Sequence, residues 1–310
     1  MMQQMQTLMK IEIEEEFDDI RVDKVLSVYL SGLSRTYIQK LIENGNVTFA
    51  GKTLKANFKV TSGQELEVLL PEPETLRVEP EQIPLDILYE DSDVIVVNKP
   101  KNMVVHPAAG HYSGTLVNAL LYHCKDSLSG INGIMRPGIV HRIDKDTTGA
   151  LVVCKNDMAH QCLAAQLKEH SITRKYEAIV YHTFKEAEGR IEGPIGRHPT
   201  ERTKMAINYK NGKEAITNYR VIENLGEKYA HIECRLETGR THQIRVHMTS
   251  LHHPLLGDTV YGPAKDSFGL QGQCLHARVL GFIHPSTKEY MEFEAPLPEY
   301  FIKLLQKLKR

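Results

Sequence analysis

Between Arg136 and Gly149 the chain concentrates residue types that make and break bonds: His141, Arg142, Asp144, Lys145, Asp146, Thr147 and Thr148. A turn between two buried strands needs little beyond Gly, Asn or Asp, so this cluster exceeds what a connection requires. The same residues also fit a solvated loop in which Asp144 or Asp146 caps a backbone turn. A lone carboxylate served by basic residues elsewhere in the chain can act as nucleophile or base, for instance in breaking a glycosidic bond. Asp146 becomes a partner acid if two carboxylates share the work, as in glycosidases.

Other chemistries lack their residues. Among the fifteen histidines, His242 and His247 are expected on opposite faces of a strand and His252-His253 in a turn. No H-E-x-x-H or comparable spacing occurs, so no metal is expected. Phosphate-cradling G-x-x-x-x-G-K-[ST] and G-x-G-x-x-G patterns and the G-x-S-x-G elbow are missing, which removes support for a nucleotide cofactor or a serine hydrolase. The five cysteines are scattered with no C-x-x-C pair and are expected to be free thiols in packed positions.

The elements around the loop follow from periodicity. Residues 138–143 are expected as a short strand with Ile139 and Val140 in the core, and 94–98 and 150–155 as buried strands. Ser113 is expected to cap a helix carrying Leu116, Ala119 and Leu120 inward. Asn156 or Asp157 is expected to cap another, reaching about residue 170. Strands are predicted at 175–180, 216–221, 230–236 and 241–248. In the last, Gln243, Arg245 and His247 share one face, and Ile244, Val246 and Met248 the other. Phe301, Leu304, Leu305 and Leu308 form the stripe of a closing helix. Strands that follow one another without regular helical crossovers predict an α+β domain over 85–310, its sheet largely antiparallel and its helices flanking.

Ahead of it, two short helices and a hairpin are expected over 20–70. Val22, Val25, Leu26, Tyr29 and Leu30 form the first stripe, stopped at Ser31-Gly32; the second helix is capped by Ser34 and stopped by Gly45. Arg35 and Lys40, with Lys52, Lys55 and Lys59 beyond them, can share one basic face. Residues 1–19 read as an acidic tail with one edge strand at most, near 10–13. Residues 71–84 read as an acidic, proline-rich linker. The net charge of −1 averages unlike parts: 20–70 carries seven bases against four acids, and 94–310 carries 29 against 21. Two basic folded parts suit a polyanion. The lack of a signal-like start or a membrane-length apolar run predicts a cytoplasmic protein with no membrane partner.

The segments R-V-D-K-V-L and L-S-R-T-Y-I-Q-K-L-I-E-N-G-N-V-T-F-A-G-K resemble the S-four (alpha-L) RNA-binding domain. H-R-I-D-K-D-T-T-G resembles the signature of the RluA/RluD family of RNA pseudouridine synthases. N-K-P-K-N-M-V-V-H-P, R-K-Y-E-A, L-E-T-G-R-T-H-Q-I-R-V-H and L-H-A-R-V-L-G-F-I-H-P agree with further family segments in order. The resemblance implies that Asp144 acts on the glycosidic bond of a flipped uridine, that Tyr176 stacks on the base, and that Arg245 pairs with Asp144. It also implies that Arg142 fills the gap left in the RNA, and it places His141, Thr148 and Gln243 at the substrate. Phosphate contacts are expected from Arg35, Lys40, Lys52 and Lys55. The implied reaction needs no cofactor or metal, and a monomer is expected. Large-subunit ribosomal RNA is the expected partner, with transfer RNA as the alternative. A noncatalytic RNA-binding or ribosome-assembly protein and an RNA N-glycosylase are the rival readings. Departures are small: Ile143 and Thr148 are close replacements, Asn102 stands at a position often Gly, and Leu251 stands where Gly often precedes H-P.

Overall fold

Short apolar runs become strands, and their period of two decides which core each side chain joins. The computed structural model describes residues 6–31, 33, 35–71, 78–107, 111–125, 127–131, 136–201, 203–265 and 268–309. The expected helix stop at Gly32, the cap at Ser34 and positions 72–77 of the expected linker lie outside the described residues. The chain divides into two compact units, Met1–Leu76 and Arg77–Arg310.

The first unit comprises β1 (Gln6–Glu12), α1 (Val22–Tyr29), α2 (Arg35–Glu43), β2 (Val47–Phe49), β3 (Lys52–Thr53) and β4 (Glu65–Pro71). Its strands form an antiparallel sheet in the order β1-β4-β2-β3. The expected acidic tail is corrected here, because β1 runs along β4 from Gln6 opposite Pro71 to Glu12 opposite Glu65. Ile11 and Ile13 enter the core with Val25, Leu26, Ile38 and Leu66, while Glu12 and Glu14 face solvent. The acids hide a strand-like alternation rather than replace it. Between the helices, fully buried Asp23 accepts from Arg35 NH2 at 2.8 Å, Gln39 Nε2 at 2.9 Å and Arg21 Nε at 3.1 Å. Burial alone would raise its pKa; these donors win and hold it down at about 2.

The second unit contains β5 (Ile87–Glu90), β6 (Val94–Lys99), α3 (Leu116–Cys124), β7 (Thr148–Cys154), α4 (Asp157–Lys168), β8 (Thr173–Tyr181) and β9 (Glu188–Glu192). Then come β10 (Ile195–Arg197), β11 (Met205–Ile207), β12 (Ile216–Leu225), β13 (Tyr229–Leu236), α5 (Gln243–Ser250), β14 (Leu275–Ile283), β15 (Tyr290–Glu294) and α6 (Glu299–Leu308). Nine strands form one sheet, ordered β5-β6-β7-β14-β8-β13-β12-β9 with β15 on β14, and β10 and β11 pair separately. Of its pairings among the described residues, only β7 with β14 is parallel. Alternation divides two cores: Ile95 and Val97 pack with Leu116 and Leu120 of α3, whereas Val94 and Val96 pack with Ala159 and Leu163 of α4. Burial on both faces explains why β6 and β7 read as continuous apolar runs.

Four expectations change in this unit. Residues 138–143 are not a strand; one bridge joins Ile139 to Val153, after a turn in which Gly138 takes φ +70°. The helix cap is Thr115 rather than Ser113, closed reciprocally with Asn118. Residues 78–84 are not a free linker, because Val78, Ile83 and Leu85 pack on the core and Asn118 Nδ2 donates to the carbonyl of Glu79 at 2.8 Å. The strand expected over 241–248 is the helix α5. Ile244 and Met248, four apart, enter one core and Val246 another, so three alternating apolar residues fit a helix buried on several sides. No described helix is long and apolar enough to cross a membrane.

Candidate active site

The loop that ends at Thr147 is fastened to the open edge of β7. That strand pairs with β14 only at Thr148 and Gly149. A Cβ on Gly149 would sit 2.3 Å from the carbonyl oxygen of Ala277, so glycine permits this close approach. Beyond it the incoming loop takes the edge: Ile139 bridges Val153, and the amide of Val152 donates to Nε2 of His141 at 3.1 Å. Burial, with the charge of Arg174 second, lowers the His141 pKa to about 3. The neutral ring therefore serves as an acceptor.

Asp144 sits where the loop turns, its carbonyl accepting from the amide of Thr147 at 3.1 Å. Lys99, 1% exposed, ties this turn to β6 by donating to the carbonyls of Pro100, Met103 and Lys145 at 2.8, 2.9 and 3.0 Å. Burial pulls its pKa down to about 7, opposed by the charges of Asp146 and Asp144.

From α5, Arg245 NH1 donates to Asp144 Oδ2 at 3.0 Å. Its other edge grips fully buried Asp258, Nε to Oδ2 at 2.6 Å and NH2 to Oδ1 at 2.9 Å. Burial works against this guanidinium, but Asp258 and then Asp144 outweigh it and raise its pKa. The ring of Tyr261 lies with its centroid 5.0 Å from the guanidinium carbon. Tyr261 Oη accepts from the amide of Met205 at 2.8 Å and shares a hydrogen bond with Nδ1 of His242 at 2.8 Å. Nε2 of His242 then faces Asp144 Oδ2 at 3.9 Å. Burial lowers the His242 pKa, against the opposing charge of Asp144.

His141, Asp144, His242 and Arg245 line a cavity of about 840 Å³. Among the described residues its walls carry seven lysines and arginines, Arg136, Arg142, Lys168, Arg174, Lys213, Arg240 and Arg245, against one carboxylate, Asp144. Tyr176 reaches it from β8, 8% exposed, and burial raises the phenol pKa. Arg142 is exposed at the cavity and donates to Thr241 Oγ1 at 3.0 Å. The arrangement offers an anion-attracting chamber, one carboxylate bound to one guanidinium, and a flat apolar ring.

Of the residues expected at the substrate, Asp144, Tyr176, Arg245, Arg142, His141 and Gln243 come together on this wall. Gln243 spends its amide on the protein, accepting from Thr238 Oγ1 and the amide of Arg240, and donating to the carbonyl of Ile216 and Thr217 Oγ1. Thr148 is buried away from the cavity lining and bonds Nδ1 of His276 at 2.7 Å. Arg35, Lys40, Lys52 and Lys55 lie in the first unit, exposed. Asn102 adopts φ +65°, the left-handed turn expected of it. Leu251 has φ −88°, and it is His252 that turns left-handed at +64°, so glycine is not required at 251. Asp258, His242, Tyr261, Lys99 and Arg174 were not anticipated as parts of the site. Gly257-Asp258 is a turn-forming pair, and Asp258 does accept the amides of Val260 and Tyr261. Glu90, His123 and Cys124 are clustered donors outside the lining, where Glu90 already pairs with Lys155 and His123.

Residues 93–250 match the protein family described as RNA pseudouridylate synthase, and residues 20–66 match the S4 domain. The chain is 52% identical over 300 residues to the uncharacterized RNA pseudouridine synthase YlyB of Bacillus subtilis (strain 168), covering 97% of this chain and 98% of that protein. It is 48% identical to the ribosomal large subunit pseudouridine synthase D of Zymomonas mobilis, with 94% of each chain covered. Among solved structures, human RNA pseudouridylate synthase domain containing 1 aligns with a TM-score of 0.55 and 27% identity, covering 77% of this chain and 97% of that one.

Proposed function

Since the chain belongs to the RNA pseudouridylate synthase family and carries an S4 domain, we propose that it isomerises specific uridines of large-subunit ribosomal RNA, with Asp144 breaking the glycosidic bond. The observation that carries this reading is the pairing with Arg245, at 3.0 Å, of Asp144, the one carboxylate among the described residues on a cavity wall rich in cations. Relatives named ribosomal large subunit pseudouridine synthase D support the choice of RNA.

In the reaction the bond from N1 of uracil to C1′ breaks, the base turns, and C5 bonds to C1′. The hydrogen on C5 leaves as a proton, and N1 gains one, so the RNA is isomerised without an oxidant or an energy source. Asp144 acts on the sugar, as nucleophile at C1′ or as base at a sugar C–H. Arg245, fixed by Asp258, holds the carboxylate in place and offsets its charge. Tyr176 presents its ring to the base, which must stay enclosed while detached. Arg142, exposed beside the cavity, fills the gap left in the helix by the flipped nucleotide.

RNA labelled with tritium at uridine C5 tests the proposal, using ribosomal RNA from cells lacking the protein. Tritium entering water with no free uracil is the expected result. Free uracil identifies an N-glycosylase, and RNA binding without release identifies a noncatalytic binder. Release from transfer RNA alone overturns the choice of substrate.

A further inference from the structure

Three lysine or arginine side chains are buried among the described residues, and they are not equally compensated. Arg245 faces two carboxylates, and Lys99 donates to three carbonyls. Arg174, 6% exposed, has one bond from NH2 to the carbonyl of Glu237 at 3.1 Å. Its Nε is buried with no hydrogen-bond partner, and no carboxylate among the described residues pairs with it. A guanidinium shielded from water and left without a counter-charge is costly unless something supplies the missing acceptor.

Place and surroundings say what supplies it. Arg174 lies on β8 two residues before Tyr176, and both line the cavity. Arg240 is close enough to repel its charge, which strengthens the local demand for an anion. Gly239 lets the loop between β13 and α5 close on the guanidinium, since a Cβ there would fall 2.5 Å from NH1. Uracil is neutral and cannot balance the charge, whereas a phosphodiester can, and its oxygens match a guanidinium fork.

We propose that Arg174 seats one backbone phosphate beside the uridine held against Tyr176, so that the cavity recognises a nucleotide rather than a base. This rests on the reading of the cavity as the pseudouridylation site.

Uridine, uridine 5′-monophosphate and uridine 3′-monophosphate are the probes, titrated into the full chain and followed by NMR or by competition with RNA. One monophosphate is expected to bind the wild type about 10- to 100-fold more tightly than uridine, the range for a charged hydrogen bond. In Arg174→Gln that advantage should vanish while uridine affinity stays within about twofold; Arg174→Lys, which keeps the charge without the fork, should retain part of it. A purely structural arginine predicts equal losses for uridine and both monophosphates, and that result overturns the inference. So does a wild type that holds neither monophosphate better than uridine, or an advantage that survives in Arg174→Gln. If Arg174→Gln does not fold, a reduced advantage in a folded Arg174→Lys supports phosphate recognition through the fork, and an undiminished advantage there overturns it. The readout needs no turnover. An Arg174-dependent advantage in a protein that releases no tritium from RNA upholds the phosphate seat and removes the reaction.

Discussion

Arg245 gives Asp258 two parallel hydrogen bonds, at 2.6 and 2.9 Å, and leaves a single N–H edge for Asp144 at 3.0 Å. The fully buried carboxylate is thus the anchor, and the more exposed one is the group presented to the cavity. Asp258→Ala removes a buried partner, for which a loss of about 3–5 kcal/mol is expected in urea unfolding. It also frees Arg245 to turn, so turnover should fall while RNA affinity changes little. Asp258→Asn retains an acceptor for the amides of Val260 and Tyr261, and its unfolding loss should be smaller. Equal stability of wild type and Asp258→Ala contradicts the anchoring role.

Asp144→Asn keeps the size of the side chain and an oxygen for Arg245 but is a poor nucleophile and base. Tritium release should drop by a factor of about 10⁴ or more, as when a nucleophile is removed elsewhere, with the protein folded and RNA affinity within a few-fold of wild type. Release that persists in this variant assigns the chemistry to another group.

Lys99 makes a prediction about pH. Its pKa is about 7 in the folded chain and near the ordinary 10.5 when unfolded. Between these values the unfolded chain binds the proton and the folded chain does not, so this group favours folding more as pH rises. The stability of wild type relative to Lys99→Met should therefore increase from pH 7 to 9.5, at up to roughly 1.4 kcal/mol per pH unit. Urea midpoints for both proteins across that range test it. Parallel curves mean that the three carbonyls hold Lys99 as an ammonium throughout, since only the charged form has a hydrogen for each.

What was legible in the sequence depended on how local its signal was. Val94 to Val97 and Ala150 to Cys154 read as strands because burial on both faces needs a continuous apolar run. The turn around Asp144 stood out because its residue types exceed the needs of a turn. Helix α5 was misread because Ile244, Val246 and Met248 satisfy either period when a short helix is buried on more than one side. Asp258, Lys99 and Arg174 take their importance from partners distant in the chain. The bond from Lys99 to the carbonyl of Lys145 spans 46 residues, and that from Arg174 to the carbonyl of Glu237 spans 63. No local pattern encodes such a pairing.

The first unit offers a test that separates affinity from chemistry. Arg35 is partly engaged with Asp23, whereas Lys40, Lys52 and Lys55 are exposed. A protein that neutralises phosphates with these three lysines releases counterions when it binds, so its affinity falls with salt in proportion to the phosphates contacted. Replacing all three with alanine should weaken RNA binding at low salt and reduce the slope of log affinity against log salt by up to about 3. Substitution of exposed lysines leaves the core of Val25, Leu26, Ile38 and Leu66 intact, so folding should not change. The cavity with Asp144 belongs to the second unit, and turnover at saturating RNA should stay within about twofold of wild type. Filter-binding isotherms at several salt concentrations, paired with tritium release, measure both. An unchanged slope means that these lysines do not face the phosphates, and a large fall in saturated turnover means that the first unit helps to place the uridine as well as to hold the RNA.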